Sequence, residues 1–144
     1  MLASRLHLAV LMLAALSPAA HAGEVLPGPI PAKIVSVYDG DTITVRAHIW
    51  LGQDVETKVR LDGIDTPEIN GKCDDEKTLA VKARDFLAEQ AGDAVMLRDI
   101  HYGKYAGRVV ASVSTESGID LVAALIAAGH GRAYSGGKRR GWCP

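Results

Sequence analysis

Between Ala32 and Asp62 the chain alternates apolar and polar residues in three runs cut by two turn sequences, and no other feature limits the fold as much. Thr42 to Leu51 sets Ile43, Val45, Ala47 and Ile49 against Thr44, Arg46 and His48, the period of two that marks a strand with one buried face. Ala32 to Tyr38 precedes it and Val55 to Asp62 comes after it, across Asp39-Gly40-Asp41 and Gly52-Gln53-Asp54. Connections this short join antiparallel neighbours. The segment is therefore read as a three-stranded meander.

Beyond the meander the chain adds two helices and two more strands. Asp74 or Asp75 is expected to cap a helix running to about Gln90, with Leu79, Val81, Ala83, Phe86 and Leu87 on its apolar face and Gly92 beyond its end. Ala94 to His101 and Arg108 to Ser114 read as strands, and Glu116-Ser117-Gly118 as a turn. Asp120 caps a second helix, Leu121 to Ala128, stopped by Gly129. The remainder, His130 to Pro144, is polar, glycine-rich and basic. The order β-β-β-α-β-β-α predicts an α+β, mainly β domain over residues 32–144, on the plan of a five-stranded OB-type barrel with two to three helices, the alternative being an open α+β sheet. With 48% apolar but only 5% aromatic residues, its core should be built on Val, Ile, Leu and Ala.

The first residues do not belong to that domain. A weakly basic start with Arg5 and His7, an apolar run from Leu8 to Leu16, and Ala20-His21-Ala22 have the layout of a signal peptide over 1–22, cleaved after Ala22. The run is shorter than the roughly 20 apolar residues of a membrane span. No stable anchor is expected after cleavage, and the protein should be periplasmic or secreted. Residues 23–31, with Pro27, Pro29 and Pro31, read as a linker. In an exported chain the two cysteines, Cys73 and Cys143, are expected to pair; no CxxC or paired-histidine spacing supports a zinc site.

The chemistry concentrates in Arg60-Leu61-Asp62-Gly63-Ile64-Asp65-Thr66-Pro67-Glu68 and in the upstream turn Asp39-Gly40-Asp41-Thr42. At one edge of a meander, the start of the second strand and the end of the third lie together, so Asp41, Asp65 and Glu68 should converge. Crowded carboxylates repel unless a cation joins them, and oxygen ligands suit a hard divalent ion such as Ca²⁺. Taken singly, each Asp-Gly is equally an ordinary hairpin turn. Arg60 and Arg108 offer the planar fork that suits phosphate, or are plain strand arginines. Trp50 and Trp142 read as packing residues and Asp62 as a turn residue. Lys138-Arg139-Arg140 is either a contact for a phosphate backbone or a solvated tail. The net charge of −1 lacks the basic excess of many nucleic-acid binders, which speaks against a high-affinity binding module more than against an enzyme.

Together Asp39-Gly40-Asp41-Thr42, Val59-Arg60-Leu61, Ile64-Asp65-Thr66-Pro67-Glu68 and Tyr105-Ala106-Gly107-Arg108 resemble the staphylococcal-nuclease-like (thermonuclease) family, over about Ala32 to Tyr134. The resemblance implies an OB-fold barrel and Ca²⁺-dependent phosphodiester hydrolysis, with DNA and RNA as substrates and a monomer as the working species. It makes Asp41, Asp65 and the Thr66 carbonyl the metal ligands. Glu68 becomes the residue that holds the attacking water, and Arg60 and Arg108 the phosphate clamp. Lys104, Tyr105 and Tyr134 take the positions that bind a terminal phosphate and the nucleoside. Ala106 is an addition to the family's common Y-G-R, and the typical second downstream tyrosine has no clear counterpart, since Ser135 and glycines follow Tyr134.

Overall fold

The computed structural model describes residues 23–144; the expected signal peptide, 1–22, lies outside the described residues. The meander is present as β2 (Ile30–Val37), β3 (Thr42–Trp50) and β4 (Gln53–Leu61), preceded by the short strand β1 (Val25–Leu26). After β5 (Ile64–Asp65) and α1 (Asp74–Ala91) come β6 (Ala94–Tyr102) and β7 (Arg108–Thr115), then α2 (Leu121–Ala127) and β8 (Arg132–Ala133). The large sheet runs β1-β6-β2-β3-β4-β7, and β7 returns to pair with β6. This closes a five-stranded barrel of β6, β2, β3, β4 and β7, in which β4–β7 is the parallel contact and the other pairings are antiparallel. The open-sheet alternative is thereby excluded, and the helices among the described residues number two.

Alternation sets the inside of the barrel. Ile43, Val45, Ala47, Val59, Leu61, Val95, Leu97, Ala111 and Val113 point inward and are buried. Leu87 and Ala91 of α1 and Leu121 and Leu125 of α2 complete the same cluster. The core is aliphatic, as the scarcity of aromatics requires. Asp120 caps α2, its Oδ1 accepting from the Ala123 N–H at 2.9 Å.

Four local expectations are corrected. The proline-rich residues 23–31 are not a free linker: Val25–Leu26 pairs with Ile100–His101, and β2 already begins at Ile30. The residue capping α1 is Cys73, whose side chain makes no capping bond; Asp74 and Asp75 lie in the first turn. The buried seam of α1 is Glu76, Ala80, Ala83, Leu87 and Ala91, a run of three- and four-residue steps, whereas Leu79 and Val81 are exposed. Small residues win because α1 lies hard against a turn: a Cβ on Gly40 would come within 2.7 Å of the Ala83 Cβ. Finally, Trp50 lies outside the core and is 72% exposed at the tip of the β3–β4 hairpin.

Cys73 and Cys143 form a disulfide with their Cα atoms 6.0 Å apart. The polar chain end is therefore not a loose tail. It pairs through β8 with β5, Asp65 opposite Arg132, and then crosses back to the start of α1 as a strap. No helix of the described residues is long and apolar enough to cross a membrane.

Candidate active site

The site grows out of the β3–β4 ladder. Thr42 stands opposite Arg60, and the Leu61 N–H donates to the Asp41 carbonyl at 2.8 Å, which brings the first acidic turn beside the end of β4. Val59 and Leu61 point into the barrel, so Arg60 points out. Its Nη1 donates to the Leu61 carbonyl at 3.1 Å, its Nη2 to the Ile64 carbonyl at 3.0 Å, and Nη2 lies 3.4 Å from Asp41 Oδ2. One guanidinium thus ties both acidic segments together. Arg108 comes from the neighbouring strand: in the parallel β4–β7 ladder Lys58 stands opposite Arg108 and Arg60 opposite Val110, which puts the two arginines on the same outer face.

Asp39, Asp41, Asp65 and Thr66 are all buried, an unusual density of polar groups. Asp39 Oδ1 accepts from the Asp41 N–H at 3.1 Å, and Asp41 Oδ1 from the Thr42 hydroxyl at 2.8 Å. Burial, and next the charge of Asp41, push the Asp39 carboxyl up to about 7. Glu68 is half exposed at the mouth. Its backbone N–H donates to Oε1 of the buried Glu76 at 3.3 Å, while Glu76 Oε2 accepts from the Lys72 N–H at 3.0 Å. Glu76, which sequence reading passed over, thereby fixes the loop that carries Glu68. The available signal was a glutamate in the third position of the helix, where a carboxylate reaches back to free N–H groups.

Two more residues were missed. Arg139 is not free in solvent but folds back onto the carboxylates at the groove. Its Nη1 donates to Glu68 Oε1, and its Nε lies 2.9 Å from Asp65 Oδ1. Partial burial opposes the Arg139 charge, but the Glu68 bond and the charges of Asp65, Glu68 and Asp41 outweigh it and raise its pKa further. Trp142, expected to be a packing residue, donates its indole N–H to Asp65 Oδ2 at 3.2 Å. Charge alone marked Arg139, and nothing local marked Trp142.

One groove is lined by Asp41, Arg60, Glu68, Lys104, Tyr105, Arg108, Tyr134 and Arg139. Asp65 and Thr66 are buried and do not line it; Asp65 is linked to it through Arg139. The structure thus brings Asp41, Arg60, Glu68, Lys104, Tyr105, Arg108 and Tyr134 to one groove. Tyr105 lies under two cations, with Arg108 Cζ 5.3 Å and Lys104 Nζ 5.7 Å from its ring centre, and Tyr134 donates its hydroxyl hydrogen to the Gly137 carbonyl at 2.7 Å.

The oxygen-rich donor set fits a hard divalent cation. Asp65 Oδ1 and Thr66 Oγ1 are buried without a hydrogen-bond partner: the 2.9 Å approach of Arg139 is an ion pair whose N–H is not aligned on the oxygen. A buried carboxylate oxygen without an aligned donor, in a site that holds further carboxylates, is where a cation gains most. Among the described residues, the one trio of acidic, histidine or cysteine side chains with ligand atoms all within 4.8 Å of one another is Cys73, Glu76 and Cys143, not the groove carboxylates; it is no metal site, because its sulfurs are bonded to each other.

No curated protein matches the chain. The family model described as staphylococcal nuclease homologue matches residues 58–140, from β4 to the strap, and so takes in Arg60, Asp65, Glu68 and Arg108. That span is more than half of a chain whose closed barrel carries these groups on one edge, and the protein belongs to the staphylococcal nuclease homologue family.

Proposed function

We propose that the protein is a Ca²⁺-dependent nuclease that hydrolyses phosphodiester bonds of DNA and RNA with low sequence specificity, and that it works outside the cytoplasm, in the periplasm or as a secreted protein. The observation that carries this reading is that Asp41, Glu68, Arg60 and Arg108 line one groove, with Asp65 linked to it through Arg139 and its Oδ1 buried without an aligned donor. Asp41, Asp65 and the Thr66 carbonyl would hold the ion. When bound, Ca²⁺ supplies a Lewis acid that neutralises charge on a phosphoryl oxygen.

The chain's own groups do the rest. Arg60 and Arg108 approach one phosphate from neighbouring strands. Arg60 is already braced by two carbonyls, so its charge is in place where the transition state gathers negative charge. The Glu68 carboxylate orients a water for attack on phosphorus and accepts its proton as the bond to the 5′ oxygen breaks, leaving 5′-hydroxyl and 3′-phosphate ends. Lys104, Tyr105 and Tyr134 hold the neighbouring phosphate and nucleoside. An open groove that reads phosphate and ring stacking, not base edges, accounts for low specificity.

The test is cleavage of single-stranded DNA by the purified, oxidised protein with Ca²⁺ or with chelator. Cleavage is expected with Ca²⁺ and not with chelator, and Glu68→Gln should lower the rate by about 10²–10⁴. Equal rates with chelator would reject the calcium requirement. Binding of DNA without cleavage would make the protein a non-catalytic binding module on the same barrel.

A further inference from the structure

The strap treats the two oxygens of Asp65 differently. Oδ2 is closed by a neutral donor, the Trp142 indole N–H at 3.2 Å. Oδ1 has no aligned donor and faces only the charge of Arg139, 2.9 Å away. The two strap residues are also held differently. Trp142 is gripped from both sides: the Arg132 guanidinium lies 3.6 Å from its ring centre, and the next residue, Cys143, is bonded to Cys73. Arg132 also donates to the Gly141 carbonyl at 3.1 Å and stands opposite Asp65 in the β5–β8 ladder. Arg139 instead comes just after Gly136-Gly137, and its side chain is 38% exposed.

We propose that Trp142 is a positioning residue of the cation site, fixing Asp65 through Oδ2 so that Oδ1 is presented as the ligand oxygen, and that Arg139 is the resident counter-ion which a divalent cation displaces from Oδ1. The proposal rests on the calcium reading of the site and adds to it the part played by the strap. A ligating carboxylate needs a partner on its other oxygen to hold its orientation, and such partners set affinity as strongly as many ligands do. Crowded carboxylates need positive charge whether or not a metal is bound, and an arginine supplies it at every accessible pH. A half-exposed side chain on a glycine-rich stretch leaves with little disturbance to its surroundings, which suits it to exchange.

The test is a calorimetric titration of Ca²⁺ into the oxidised protein as wild type, Trp142→Phe and Arg139→Gln, with thermal unfolding of each recorded alongside. Trp142→Phe keeps the ring and loses the donor; its Ca²⁺ affinity should fall about 10-fold or more. Arg139→Gln removes the competing charge; its affinity should rise about threefold to fivefold, the scale of a partly exposed ion pair. A strap that merely braces the fold would weaken binding in both variants, so the opposite signs are the diagnostic. Unchanged affinity in Trp142→Phe, or weaker binding in Arg139→Gln, would overturn the proposal. If Trp142→Phe does not fold, Arg139→Gln still decides the part of Arg139, and hydrogen exchange of the Trp142 indole N–H in the wild type decides the other: it should stay protected when Ca²⁺ binds, and loss of protection would overturn the proposal. Absence of Ca²⁺ binding by the wild type would overturn the calcium reading as well, and is distinct from both.

Discussion

Asp39 shows how the site stores electrostatic cost. Its carboxyl is 6% exposed and lies next to Asp41, and burial and that neighbouring charge raise it from 3.8 to about 7. The folded state therefore holds a proton that the unfolded chain has already lost. The stabilisation this gives is complete below about pH 4, shrinks as pH rises, and is gone above about pH 7. In chelator, Asp39→Asn should gain thermal stability relative to wild type steadily from pH 4 to 7; a difference in melting temperature that does not change with pH would reject the assignment. At this scale the legible residues were those whose identity and spacing carry chemistry: Asp41, Arg60, Asp65, Glu68 and Arg108. Arg139 and Trp142 were not legible. What they touch is decided by the return of the chain end across a disulfide with a sequence separation of 70, and no local pattern records such a return.

At the scale of elements, the turn before β3 and the helix α1 are fitted to each other. Gly40 leaves no room for a side chain: a Cβ there would lie 2.7 Å from the Ala83 Cβ and 3.0 Å from the Thr66 Cβ. Gly40→Ala should cost about 1–3 kcal/mol in urea unfolding, the range for overpacking. Because the same turn carries Asp41, Ca²⁺ affinity should fall with it. Wild-type stability in that variant would show that the turn yields freely. This contact explains why the strands were legible and the helix face was not. Strand periodicity and turn dipeptides act locally, and the expected β2, β3, β4, β6 and β7 match those formed to within about two residues. The choice between Leu79 and Ala80 for the buried face of α1 is made by what lies across from it, and a close-packed turn selects alanine. The same holds for β1, a strand of two residues that exists only because β6 is beside it.

Over the whole molecule, a net charge of −1 conceals a local cluster of cations. Lys58, Arg60, Lys104, Arg108 and Arg139 line the same groove as Asp39, Asp41, Asp62 and Glu68, so composition gave no hint of the surface proposed to bind phosphate. The disulfide acts at this scale too. Replacing both cysteines with alanine should cost about 4 kcal/mol in the chain-entropy account of a loop this long, measured as loss of unfolding free energy in denaturant. A loss below about 1 kcal/mol would mean that β8 and the stacked Arg132 hold the strap without it. The parallel β4–β7 ladder has a further consequence. It works as a ruler: Arg60 and Arg108 are spaced by the register of hydrogen-bonded neighbours, not by the loop that joins their half of the barrel to β6. A residue added between Gly103 and Gly107 is absorbed as slack, at a closure cost of a few tenths of a kcal/mol. Ala106 sits in that loop, where added length changes the rim of the groove and leaves the pairing that sets Arg108 beside Lys58 as it is.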